Sequence, residues 1–178
     1  MINFQVNEIQ MAMNMDKKDP FQRLSKLLEE QGELLEAYFD KGDILDSIEE
    51  AVDNLLVTTS IAYVIDNDSM QEIESLFSFN YQKEKFKSVD ASLIDFTIQN
   101  GKISDAVQKY LKVGASCYKG SVTKDEVLDS IKKSIIILSD VINKLVEVAN
   151  VDRFDYVNNL ICTKNNKWLE KSILGNKQ

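Results

Sequence analysis

Residues 27–56, LLEEQGELLEAYFDKGDILDSIEEAVDNLL, hold two acidic signatures, each ending in carboxylates three positions apart: Glu30 with Glu33, and Glu50 with Asp53. Positions i and i+3 of an α-helix share a face. Each pair therefore projects from one side of its own helix, and two such helices packed together bring four carboxylates to one place. The chain must then fold so that this negative charge is compensated.

The charge is concentrated. Residues 27–82 contain fourteen Asp or Glu and one basic residue, Lys41, a local charge of −13; residues 1–26 sum to +1 and residues 83–178 to +4, giving the net −8. Solvated helices usually set Glu against Lys four residues on, whereas here Glu29 faces Glu33 and Glu36 faces Asp40. Such like-charged pairs cost about 0.2–0.5 kcal/mol each. A divalent cation is the simplest agent that would neutralise this density.

One Pro and six Gly in 178 residues leave room for long helices, and 44% hydrophobic content supplies a core for one or two compact domains. Apolar positions at Phe4, Val6, Ile9, Met11 and Met13 fit a short helix over 3–15. Asp19 and Pro20 read as the cap and first turn of the next helix, over 20–40. Its apolar side carries Leu24, Leu27, Leu28, Leu34, Leu35 and Tyr38, with Glu30 and Glu33 at the edge. Lys41-Gly42-Asp43 gives a stop, a turn and a new cap for a helix over 44–65, which becomes uncharged all round after Asp53, as a buried helix does. Ionised Glu50 and Asp53 at the mouth of that segment are costly unless a cation pairs with them. A charged first turn favoured by the helix dipole is the alternative, and it is the preferred account of Glu49. Further helices are expected over 69–87, turning basic at Lys83, Lys85 and Lys87, over 89–99, ending at Asn100-Gly101, and over 152–173. The fold class is all-α, a helical bundle in a single domain over 1–178.

The second half looks like a worn copy of the first. ILDSIEEAVDNLL at 44–56 aligns with VLDSIKKSIIILS at 127–139, and AYFDKG at 37–42 with ASCYKG at 115–120. In these registers Glu30 falls on Gln108, Glu33 on Leu111, Glu50 on Lys133 and Asp53 on Ile136, so all four carboxylates are lost. The expected organisation is a tandem pseudo-dimer: residues 1–87 with the acidic site, and residues 88–178 as a degenerate repeat ending in a basic helix.

Several functions are disfavoured. The chain has no histidine, which removes the Glu-x-x-His motif of di-iron bundles, His-based triads and zincin sites, and it has no Gly-rich phosphate loop. A pI of 4.7 counts against general nucleic-acid binding. No basic residue precedes the first apolar positions, so no signal peptide is expected, and no run approaches the ~18 apolar residues of a membrane span. Cys117 and Cys162 are expected as reduced core residues rather than a disulfide. The expected location is the cytoplasm.

Near the C-terminus stands Lys164-Asn165-Asn166-Lys167-Trp168. The two lysines share a helix face and suit phosphate as point charges, and the ring can stack on a base. A core tryptophan flanked by solvated lysines is the alternative.

The EEQGE signature followed, after sixteen residues, by EAVD resembles the E-E-x-x-E and E-x-x-D pattern of the MazG-like all-α nucleoside triphosphate pyrophosphohydrolases. That superfamily includes dimeric dUTPases and phosphoribosyl-ATP pyrophosphohydrolases. The motif core covers residues 20–65, and Lys-x-x-Lys-Trp is similar to the family's C-terminal basic segment. The resemblance implies a Mg²⁺-dependent (or Mn²⁺-dependent) enzyme that cleaves an NTP or dNTP to the monophosphate and pyrophosphate, clearing unwanted nucleotides. It assigns Glu30, Glu33, Glu50 and Asp53 as metal ligands, with Glu33 and Glu50 catalytic. Lys26, Lys164 and Lys167 would hold phosphate oxygens and Trp168 the base. The family builds sites across matching protomers or repeats, so a homodimer is an open arrangement and the degenerate second repeat puts a second site in doubt. Two rivals stay open: a specialised substrate such as dUTP or phosphoribosyl-ATP, and a non-catalytic helical interaction module.

Overall fold

The computed structural model describes residues 20–77, 88–114 and 120–175. The first long helix, α1 (Pro20–Leu35), continues into one wider π-helical stretch, Glu36–Lys41. Gly42 ends it at φ 64°, its N–H bonded to the Ala37 carbonyl, and the Asp43 N–H reaches the same carbonyl at 3.0 Å. The expected helix over 20–40 is therefore α-helical only to Leu35 and changes pitch before the turn. Left-handed backbone is what glycine tolerates and other residues resist, and a Cβ at position 42 meets no atom within 4 Å. Gly42→Ala is thus expected to cost about 1–2 kcal/mol from the backbone alone, read by urea denaturation.

Asp43 caps α2 (Ile44–Ile65) by accepting from the Asp46 N–H at 3.0 Å, matching the expected stop, turn and cap. A 3₁₀ turn (Asn67–Ser69) leads to the short α3 (Met70–Phe77). Ser88 caps α4 (Val89–Leu111), and Thr123 caps α5 (Lys124–Ala149) in a capping box with Glu126. The last helix is α6 (Arg153–Gly175). The expected helix at 3–15, the Asp19 cap, the basic end at Lys83, Lys85 and Lys87, and Cys117 lie outside the described residues.

The helices form an all-α bundle. α1 packs on α2, α2 on α5, α5 on α4, and α4 closes the ring against α1. Cross-links set the directions. Tyr38 Oη donates to Asp90 Oδ1 and Asn100 Nδ2 to Gln31 Oε1, both at 2.8 Å, so α4 runs antiparallel to α1. Ser92 Oγ donates to Asp140 Oδ2 at 2.7 Å and Gln99 Nε2 to the Ser130 carbonyl at 2.9 Å, so α5 runs antiparallel to α4. α6 lies over α2 and α5, and α3 packs against the same two helices. One continuous apolar core, including Leu27, Leu34, Leu55, Phe96, Ile103, Ile135 and Leu138, joins both halves. The aligned segments 44–56 and 127–139 both lie on the second helix of a hairpin. Among the described residues no helix is long and apolar enough to cross a membrane.

Three expectations need correction. α4 does not stop at Asn100-Gly101 but runs to Leu111. Asn100 is buried, donates to Gln31 and accepts from Ser134 Oγ, so its amide is used across the bundle rather than in a turn. Burial of Ile103, Ala106 and Val107 beyond it outweighs the ~1 kcal/mol that a helical glycine costs. Leu28, expected on the apolar side of α1, is 57% exposed, whereas Leu24, Leu27 and Leu34 are buried. Cys162 is free, but it is exposed rather than a core residue. The buried stripe of α6 runs through Val157, Ile161 and Asn165 at intervals of four, and position 162 falls beside it.

Candidate metal centre

Two neighbouring helices build the site and a third closes it. α1 presents Lys26, Glu29, Glu30 and Glu33 at successive turns, and α2 presents Glu50, Asp53 and Asn54. α2 is buried from Asn54 to Ala62, as its uncharged run implies, so Glu50 and Asp53 stand at the edge of the core. α6 contributes Lys164, which forms an ion pair with Asp53 across 111 residues of sequence.

One carboxylate oxygen from each of Glu30, Glu50 and Asp53 lies within 4.8 Å of the other two. Glu33, the fourth expected ligand, lies outside this group. It is exposed and stands beside Glu30. The two expected pairs thus converge, but through three carboxylates.

The neutralising charge comes partly from the chain itself. Lys26 Nζ lies 2.5 Å from Glu30 Oε1 and 2.8 Å from Glu29 Oε1. Lys41 pairs with Glu36 at 3.3 Å and with Asp46 at 3.6 Å. Lys26 and Lys164, expected as phosphate ligands, are here counter-ions of Glu30 and Asp53. Lys167 is exposed and makes no ion pair among the described residues. Trp168 lies on α6, but its side chain is outside the described residues.

Glu50 has no ion-pair partner among the described residues. Its Oε2 is buried and accepts no hydrogen bond from them. Burial, followed by the Asp53 charge, pushes its carboxyl up to about 7, against a smaller opposing pull from Lys164. Burial also raises Asp53, outweighing the Lys164 ammonium that favours its charged form. Glu33, although exposed, is raised by partial loss of solvent and then by the Glu30 charge. Lys26 is raised as well: burial alone would lower it, but its bonds to Glu29 and Glu30 and their charges prevail.

The donor set suits a hard divalent cation. All three groups offer oxygen, and two oxygens on one Mg²⁺ at ~2.1 Å are at most ~4.2 Å apart, within a small side-chain adjustment of the separation here. Two ammoniums, one of them shared with Glu29, do not offset the three carboxylates when all are ionised, and Glu50 Oε2 is a buried oxygen with no hydrogen-bond partner among the described residues.

Sequence reasoning missed Asn54. It is fully buried, and its Nδ2 donates to the Glu30 carbonyl at 2.8 Å and to the Glu50 carbonyl at 2.9 Å. The signal was there: an amide opening a buried, uncharged helical run must find hydrogen-bond partners.

Comparison with protein-family models, with curated proteins and with solved structures gives no match to this chain. The functional reading therefore rests on the geometry of the site and on the motif spacing.

Proposed function

We propose that the chain is a Mg²⁺-dependent nucleoside triphosphate pyrophosphohydrolase that cleaves an NTP or dNTP to the monophosphate and pyrophosphate. The observation that carries this reading is the convergence of Glu30, Glu50 and Asp53 from two helices to within 4.8 Å. These residues would hold the cation, which supplies positive charge to polarise a water and to screen the phosphates. Glu33 stands next to Glu30 at the solvent edge with its carboxyl raised, and in this reading it takes the proton of the attacking water. Glu50 shares that role when its proton has been lost. Attack at the α-phosphorus expels pyrophosphate. Lys26 and Lys164, once parted from their carboxylates, face phosphate oxygens as point charges, with Lys167 one turn beyond Lys164. Trp168 is assigned to the base by sequence alone.

Pyrophosphate release from a panel of ribo- and deoxyribonucleoside triphosphates, dUTP and phosphoribosyl-ATP included, tests the reading. Activity should require Mg²⁺, disappear with EDTA and fall at least about 100-fold in Asp53→Asn, equivalent to ~3 kcal/mol of charge stabilisation. Full activity in Asp53→Asn would remove Asp53 from the site. The ion pairs of Lys26 and Lys164 favour one rival, a non-catalytic interaction module, because they neutralise two of the three carboxylates without a metal ion. Folded protein that turns over no substrate on the panel, whether or not it binds a divalent cation, would favour that rival or a substrate outside the panel.

A further inference from the structure

The carboxylate cluster depends on the register of α1 against α2. Glu30 is on one helix and Glu50 and Asp53 are on the other, so a slip of one residue carries Glu30 ~1.5 Å along and ~100° around its helix, off the shared face. The apolar core that both helices enter, with Leu27 and Leu34 from α1 and Ala51 and Leu55 from α2, tolerates such adjustment, because cores accept repacking at constant volume. Hydrogen bonds are directional and do not. Asn54 supplies two, and their acceptors are the backbone carbonyls of Glu30 and Glu50, two of the three cluster residues. The bond to Glu50 lies within α2, one turn back, and fixes the side-chain rotamer. The bond to Glu30 crosses to α1.

The amide is an expensive choice for packing alone. Asn54 is fully buried and its Oδ1 has no hydrogen-bond partner among the described residues. A leucine of similar size would remove that unsatisfied oxygen and add apolar contact with the surrounding core. What leucine cannot supply is the pair of donors.

We propose that Asn54 is a positioning residue for the carboxylate cluster. Its amide clamps the Glu30 carbonyl of α1 to the Glu50 turn of α2 and so fixes the register at which the three carboxylates meet. The inference rests on the cluster being the cation site of the proposed function. Asn54 touches neither cation nor substrate. It acts through the backbone of two ligands, as outer-shell partners of metal ligands do.

The test is a titration of the full chain with Mn²⁺ alone, followed by electron paramagnetic resonance, beside a metal-free thermal melt. Asn54→Leu should fold, melt at or above the wild-type temperature, and bind Mn²⁺ roughly 10–100-fold more weakly, the usual loss when an outer-shell partner is removed. Asn54→Ser is too short to reach the Glu30 carbonyl and should show the same weakening, which covers the case in which the leucine variant does not fold. Wild-type Mn²⁺ affinity in either folded variant would overturn the inference, whatever happens to the melt, because a purely structural amide changes stability alone. In that event the cation site itself still stands. Absence of Mn²⁺ binding in the wild-type chain would overturn the inference together with the reading beneath it.

Discussion

Glu50→Gln is expected to abolish the proposed metal-dependent pyrophosphate release while yielding a more stable metal-free protein at pH 8. The loss of turnover, at least about 100-fold, follows from removing one charge of the three that converge. The gain in stability follows from the raised carboxyl. The Glu50 side chain titrates from its ordinary value of 4.5 in the unfolded chain and at about 7 in the folded one. Between these values the folded state retains a proton that the unfolded state has released, so stability falls as pH rises and the penalty is complete above about 7. The group is only half-buried, and solvent screening limits the penalty to about 1–2 kcal/mol. Glutamine carries no charge and escapes it. Urea denaturation in EDTA from pH 4 to 8 should therefore give curves that meet at the acid end and separate towards pH 8. Parallel curves would mean that Glu50 does not carry the burial penalty assigned to it.

A second large effect is expected far from the cluster. Asp140 and Lys144 form an ion pair one turn apart on α5, and both contact Ser92 of α4: Ser92 Oγ donates to Asp140 Oδ2 at 2.7 Å and Lys144 Nζ donates to Ser92 Oγ at 2.8 Å. Asp140 and Ser92 are buried. Asp140→Ala removes the acceptor for the hydroxyl and the counter-ion of the ammonium together, which should cost about 3–5 kcal/mol. For a chain of this length that lowers the melting temperature by roughly 10 °C. Replacing both charges, Asp140→Leu with Lys144→Met, should return stability to within about 2 kcal/mol of wild type, since no unpaired charge is left inside. A double variant as unstable as the single one would show that the triad contributes more than mutual satisfaction.

Much of the α1–α2 hairpin was legible because its signals are local. Gly42 and Asp43 mark a turn and a cap by their own chemistry, and the end of charge after Asp53 marks where α2 enters the core. Spacing also placed the acidic pairs on helix faces. It could not say how far each face turns towards its neighbour. Glu30 and Glu33 are equivalent by spacing, yet one is buried and the other exposed, and Leu27 and Leu28 divide in the same way. That choice depends on where α2 and α4 lie, which no local pattern records. Asn100-Gly101 failed as a helix end for the same reason: its partners, Gln31 and Ser134, are far away in sequence. Lys164 was legible as a cation opposite the acidic site. Its pairing with Asp53 is a tertiary fact.

The ion pairs of Lys26 and Lys164 also bear on how such a chain comes into being. Many small metal-binding domains stay unfolded until the ion arrives, because bare ligands repel one another. Here two of the three carboxylates meet ammonium groups carried by the same polypeptide. Assembly of the helices need not wait for an ion, and a divalent cation bound there, as proposed, would enter a finished scaffold as an exchange of one cation for another.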